Sequence, residues 1–128
     1  MTEWKWVDLG VVLAIHEMQL SAHGGLEGVL NMGPIESALA RPQHLCAYGE
    51  PDAADLAAAY VYGLARNHGF ADGNKRTGWV TARFFLAYNG FAISLDLAAA
   101  VHMVNGVASG EVSEEELAVW LRDRISRA

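Results

Sequence analysis

Apolar residues recur along this chain with the period of helices. Leu9, Val12, Leu13 and Leu20 hold one helical face, and Val11, Ile15 and Met18 widen it. Asp8 stands where a cap belongs, and Gly24-Gly25 where the helix must end. A loop with Gly28 and Gly33 follows. Pro34 to Ala40 predicts a short helix with Pro in its first turn, stopped by Arg41-Pro42. Residues 42–52 contain two Pro, one Gly and no period, which predicts an irregular exposed segment.

The pattern then changes. Residues 53–67 are apolar on nearly every side (Leu56, Ala57, Tyr60, Val61, Leu64), as a helix buried all round must be. Residues 75–88 carry Trp79, Val80, Phe84, Phe85, Leu86 and Tyr88, closed by Asn89-Gly90. Leu97 to Ala108 follows Asp96 as a cap. Ser113 and Glu116 form a capping box ahead of Leu117, Trp120, Leu121 and Ile125, and Arg122, Arg124 and Arg127 suit the negative end of that last helix. Trp4-Lys5-Trp6 alternates but is too short for a sheet, and its indoles fit core packing better than partner docking. The expectation is one all-α domain over residues 1–128, with about six helices and no linker or repeat.

Composition narrows the function. A hydrophobic share of 52% beside 19% charged residues describes a globular chain. Runs such as Ala57-Ala58-Ala59 and Ala98-Ala99-Ala100 favour closely packed helices. A net charge of −6 excludes the broad basic face that nucleic-acid backbones require. Cys46 is the only cysteine, so a reducing compartment fits. The first residues, Met-Thr-Glu-Trp-Lys-Trp, lack the basic and apolar regions of a secretory leader. The longest nearly apolar run, Leu56 to Ala65, is about half of a membrane span. These features predict a cytoplasmic protein with no membrane or nucleic-acid partner.

The chemistry concentrates between the two most apolar helices, in His68-Gly69-Phe70-Ala71-Asp72-Gly73-Asn74-Lys75-Arg76-Thr77. A helix beginning near Asn74 presents unpaired N–H groups and a positive dipole end, which attract an anion. Gly73 admits close backbone approach. Lys75 and Arg76 add charge at the same mouth, and Arg can fork onto phosphate oxygens. Asp72 is a hard oxygen ligand, and one carboxylate with phosphates and waters makes a normal Mg²⁺ shell. His68 can accept a proton from a hydroxyl near neutral pH. Phe70 reads as the apolar pin of the loop. Together these are the parts of phosphoryl transfer. A P-loop is excluded, because Asn74 separates Gly73 from Lys75 and a helical pattern precedes the loop. Taken singly, Asp-Gly-Asn is also ordinary turn chemistry.

The spacing resembles the Fic/Doc superfamily, whose core is His-x-Phe-x-[Asp/Glu]-Gly-Asn-x-Arg. His68, Phe70, Asp72, Gly73, Asn74 and Arg76 occupy those places, and Asn74-Lys75-Arg76-Thr77 is similar to the Doc branch of toxin–antitoxin toxins. His23-Gly-Gly-Leu26, Ala65 to His68, Phe84 to Gly90 and Ala108 to Ser113 extend the likeness. The resemblance implies a compact helical Fic fold, its active loop between two buried central helices. It implies a kinase that uses ATP with Mg²⁺ to phosphorylate a Thr of elongation factor Tu and stop translation, and an antitoxin that neutralises it through a C-terminal helical segment. His68 would be the base and Asp72 the metal ligand. Gly73, Asn74, Lys75 and Arg76 would cradle phosphates, with Arg66 assisting.

Departures shape the alternatives. Fic enzymes that transfer AMP have Gly at the Lys75 position and a second Arg where Trp79 stands, so adenylyl transfer is the second reading. A catalytically weak antitoxin-binding module is the third, and intact His68 and Asp72 speak against it. The self-inhibitory motif of many Fic proteins is only echoed by His23 to Gly28, which lacks its hydroxyl residue; this points to regulation by a separate chain. Gly69 is expected to leave the loop less constrained. Residues 42–52 are a candidate for the substrate-positioning flap. His16, His44 and His102 show no metal-ligand spacing and read as surface or satisfied helix histidines.

Overall fold

The computed structural model describes residues 3–128; Met1 and Thr2, part of the stretch read for a leader, lie outside them. Six helices follow in order: α1 (Leu9–His23), α2 (Met32–Tyr48), α3 (Ala53–Asn67), α4 (Asn74–Tyr88), α5 (Leu97–Ser109) and α6 (Glu114–Arg122). Two three-residue strands, β1 (Phe91–Ile93) and β2 (Ile125–Arg127), pair antiparallel, with Phe91 opposite Arg127 and Ile93 opposite Ile125. The all-α expectation holds. None of the described helices is long and apolar enough to cross a membrane.

Helix α3 is the axis, buried over most of its circumference, as its sequence requires. It packs most extensively on α4 and α2, with α6 and α5 beyond them. Small residues permit the close crossings. A Cβ on Gly63 would lie 2.9 Å from the Ala38 methyl of α2, and one on Gly78 of α4 would lie 3.3 Å from the Val61 carbonyl. Phe85 centres an aromatic layer with Tyr60 at 5.1 Å, Trp4 at 5.8 Å and Trp6 at 6.0 Å between ring centroids. The tryptophans thus pack inward. The Tyr60 hydroxyl accepts a bond from the Val7 N–H at 3.0 Å and ties the N-terminal segment to α3. Burial pushes this phenol up to about 12.

Two boundaries differ from the sequence reading. Helix α2 does not stop at Arg41-Pro42 but continues to Tyr48 with Pro42 inside it. Proline forfeits one helix hydrogen bond. However, Ile35, Ala38, Leu39 and Pro42 are all buried on one stripe, and half-buried Leu45 and Cys46 extend it. Packing of that stripe outweighs the local stop signal. Helix α6 ends at Arg122, not beyond Ile125, because the following residues pair with β1. Arg124 still serves the helix end: its Nη1 donates to the Trp120 carbonyl at 2.9 Å.

An ion network joins α6 to the start of α3. The Arg122 Nε donates to Asp52 Oδ2 at 2.7 Å, and its Nη2 donates to Asp52 Oδ1 at 3.1 Å and Asp55 Oδ1 at 2.9 Å. The Arg122 bond holds the Asp52 carboxyl down to about 2, from an ordinary 3.8. A carboxyl depressed in the fold stabilises above its unfolded pKa, and that contribution disappears as pH falls through the folded value. The network is half exposed and stabilises by at most ~1 kcal/mol. We therefore expect Arg122→Ala to melt slightly below the native protein at pH 7, with the gap closing between about pH 4 and 2. Thermal melts of both proteins across that range check it; a gap that widens in acid contradicts it.

Candidate functional site

The loop between α3 and α4 is short and held from several sides. His68 ends α3 in the left-handed region (φ 51°, ψ 44°), the only described non-glycine residue with positive φ. That conformation costs roughly 1–2 kcal/mol and turns the chain sharply out of the helix. Gly69 does not loosen the loop, as its composition suggested. A Cβ there would overlap Ile35 Cγ1 and lie 3.1 Å from the Asn31 carbonyl, so glycine lets the loop lie close on α2 without displacing Ile35. Phe70 is buried, with its ring stacked on His16 at 3.8 Å and 11°. The Phe70 N–H donates to Asn74 Oδ1, and Asn74 Nδ2 donates to the Phe70 carbonyl, both at 3.1 Å. The pin expected at Phe70 is therefore present, with Asn74 locking it.

The loop opens onto a cleft of about 850 Å³. His68, Asp72, Gly73, Asn74, Lys75 and Arg76 all line it, as does half-buried Trp79. Arg66 does not. Its guanidinium lies over the Tyr62 ring, 5.4 Å from the centroid, where Arg41 also packs at 4.6 Å. The two polar ends of the Asn74 side chain are consumed by Phe70, so only its backbone N–H faces a ligand. Lys75 and Arg76 are exposed and form no ion pair among the described residues. Asp72 Oδ1 accepts from the Gly73 N–H at 2.9 Å, and Oδ2 from the Leu26 N–H at 3.3 Å.

Helix caps single out this place. Asp8, Asn31, Asp52, Asp96 and Ser113 cap α1, α2, α3, α5 and α6 with their side chains. Helix α4 alone begins without one, behind Gly73 at φ 79°. Its first N–H groups and the dipole are left to whatever enters the cleft.

The rest of the cleft was not evident from the motif. Its far wall is α5, through Ala100, Val101, Val104, Asn105, Ala108 and Ser109. Val101 on that wall is apolar yet 52% exposed. Beside the loop runs the segment from Gly24 to Asn31. The Leu30 and Asn31 N–H groups donate to the Gly69 carbonyl at 2.8 and 3.1 Å, and the Ala71 N–H to the Gly28 carbonyl at 3.0 Å. Residues 42–52 are not beside the motif: 42–48 are helical, and 49–52 line a separate hollow of about 880 Å³ with Trp4, Trp6 and Arg122. That hollow shares no residue with the cleft, and its Arg122 and Asp52 already pair with each other.

The family model described as Fic/DOC family matches residues 6–86, which include the whole loop. The chain belongs to the Fic/Doc family. It is 36% identical to "Protein kinase doc" of Escherichia phage P1 over 112 residues, 87% of this chain and 88% of that protein. It is 40% identical to "Toxin Doc" of Mycolicibacterium smegmatis over 105 residues, 78% of this chain and 80% of that one.

No cluster of three or more His, Cys, Asp or Glu able to hold a metal exists among the described residues. A closed metal cage is therefore not what this Fic/Doc chain offers. What it offers is one exposed carboxylate, Asp72, beside an uncapped helix end. That donor set fits a Mg²⁺ completed by phosphate oxygens and water.

Loop geometry depends on Asn74. Asn74→Ala leaves the Phe70 N–H and carbonyl without partners, which costs ~1–3 kcal/mol. Asn74→Asp offers no donor to the Phe70 carbonyl and should not rescue it. Urea unfolding of the two variants tests this, and native stability in Asn74→Ala contradicts it.

Proposed function

We propose that this chain is a Doc-type toxin that transfers phosphate from ATP to a hydroxyl of a target protein. The observation that carries the reading is the uncapped N-terminus of α4, which meets Lys75, Arg76, Asp72 and His68 in one cleft. The first-turn N–H groups, Lys75 and Arg76 take the phosphates. Asp72 would hold a Mg²⁺, which when bound would neutralise charge at the phosphate oxygens. His68 accepts the proton of the incoming hydroxyl and has water access to release it. The names carried by the two relatives support the toxin and kinase assignments.

The proposed target is a Thr of elongation factor Tu, and the proposed restraint is an antitoxin whose C-terminal helical segment binds this chain. Both follow from the Doc likeness. Trp79 lines the cleft at the position where adenylylating Fic enzymes carry their second Arg, which supports phosphate over AMP as the group transferred. The site of action is the cytoplasm, where that target resides.

The test is to incubate the protein with ATP, Mg²⁺ and elongation factor Tu and to weigh the target intact. A single phosphate increment is expected. A nucleotidyl increment sinks the kinase reading. His68→Ala should lower the rate by ~10²–10⁴ and remove toxicity without unfolding the protein. Equal toxicity excludes His68 as the base.

A further inference from the structure

We infer that His16 is a positioning residue that locks the Asp72–Gly73 peptide and thereby sets the metal and phosphate end of the cleft. This deepens the reading above and rests on it for its functional consequence. His16 belongs to α1, far from the motif in sequence, and is only 4% exposed. Its Nε2 lies 2.8 Å from the Asp72 carbonyl oxygen. A carbonyl can only accept, so Nε2 carries the hydrogen. The opposite requirement of packing is met by the ring face, which lies on Phe70. A Cβ built on Gly73 would lie 3.6 Å from His16 Cδ2, so the imidazole also floors the turn at Gly73.

The consequence follows from peptide geometry. In a trans peptide the C=O and the next N–H point in opposite directions. With the Asp72 carbonyl turned down onto His16, the Gly73 N–H is turned away from the core, where it meets Asp72 Oδ1 at 2.9 Å. One hydrogen bond below the loop thus orients a carboxylate above it. Gly73, in the left-handed region and without a side chain, cannot hold this plane by itself. Without a donor at residue 16 the peptide is free to flip, and the flip withdraws both Asp72 Oδ1's partner and the entry to the α4 N-terminus. Asn74 is not available to replace this contact, because it is committed to Phe70.

Two variants separate positioning from bulk. His16→Leu keeps apolar volume against Phe70 and removes the donor. His16→Gln places an amide N–H at comparable reach. In the protein without nucleotide, the Gly73 and Asn74 amide signals should be sharp in the native and Gln forms and exchange-broadened in the Leu form. In calorimetry with Mg²⁺ and a non-hydrolysable ATP analogue, the Leu form should bind about tenfold more weakly, and the Gln form near native. Transfer by the Leu form should need correspondingly more Mg²⁺. A role in packing alone predicts lower melting temperatures with unchanged amide lineshapes and unchanged affinity in the folded protein, and that result overturns the inference. So does a Gln form no better than Leu. If the Leu form does not fold, the native protein decides: the ¹⁵N signals of His16 must show a hydrogen on Nε2, and protonation at Nδ1 alone refutes the lock. Failure of the native protein to bind the nucleotide would refute the proposed function, while the amide lineshapes and ring signals still judge the lock.

Discussion

The burial of one aromatic ring organises this molecule. Phe70 sits between Gly69 and Ala71 in a loop of only a few residues, and its side chain is inside the core. Burying a Phe contributes ~1.5–3 kcal/mol, enough to offset the left-handed turn at His68. Once the ring is fixed, the backbone on either side has little freedom. Asn74 grips it from the α4 side and His16 stacks beneath it. His68, Asp72, Lys75 and Arg76 are left exposed around it.

Helix α3 makes that anchoring possible. Its alanines, with Gly63 and with Gly78 of α4, bring three helices close enough that the loop from α3 to α4 must be short and tight. Gly73 stands at the cap position of α4 and has no side chain to offer, and an uncapped end costs stability unless something else satisfies it. The other five helices are all capped by their own side chains. Stability has been surrendered at the one place where an anion can restore it, as expected where a binding site overrides local preference.

Much of this was legible in the sequence because it rests on local chemistry. The bounds of α3 follow from its apolar circumference, and the caps at Asp8, Asp96 and Ser113 follow from side chains that can reach only their own first turn. The pin at Phe70 follows from one apolar residue amid polar ones. The illegible parts depend on distant partners. Pro42 reads as a stop until its place on the Ile35–Leu39–Leu45 stripe is seen, and Ile125 reads as helical until Phe91 offers it a strand. Similarly, Gly69 reads as slack, although a Cβ there would overlap Ile35 and force it to move. The role of His16 is invisible at sequence level, since its partner Asp72 is 56 positions away. Arg66 lies near the motif in sequence, and its guanidinium packs over the Tyr62 ring.

The central claim is that this pinned loop holds the bare end of α4 ready for phosphate. The most direct measurement is a titration of the ¹⁵N-labelled protein with Mg²⁺ and a non-hydrolysable ATP analogue, followed by amide shifts. The account predicts that the Gly73, Asn74, Lys75 and Arg76 amides move most, while those at the capped start of α3 (Ala53 and Ala54) stay still. Largest shifts around Trp4, Trp6 and Arg122, with the α4 amides unmoved, would place the nucleotide in the other hollow and contradict it.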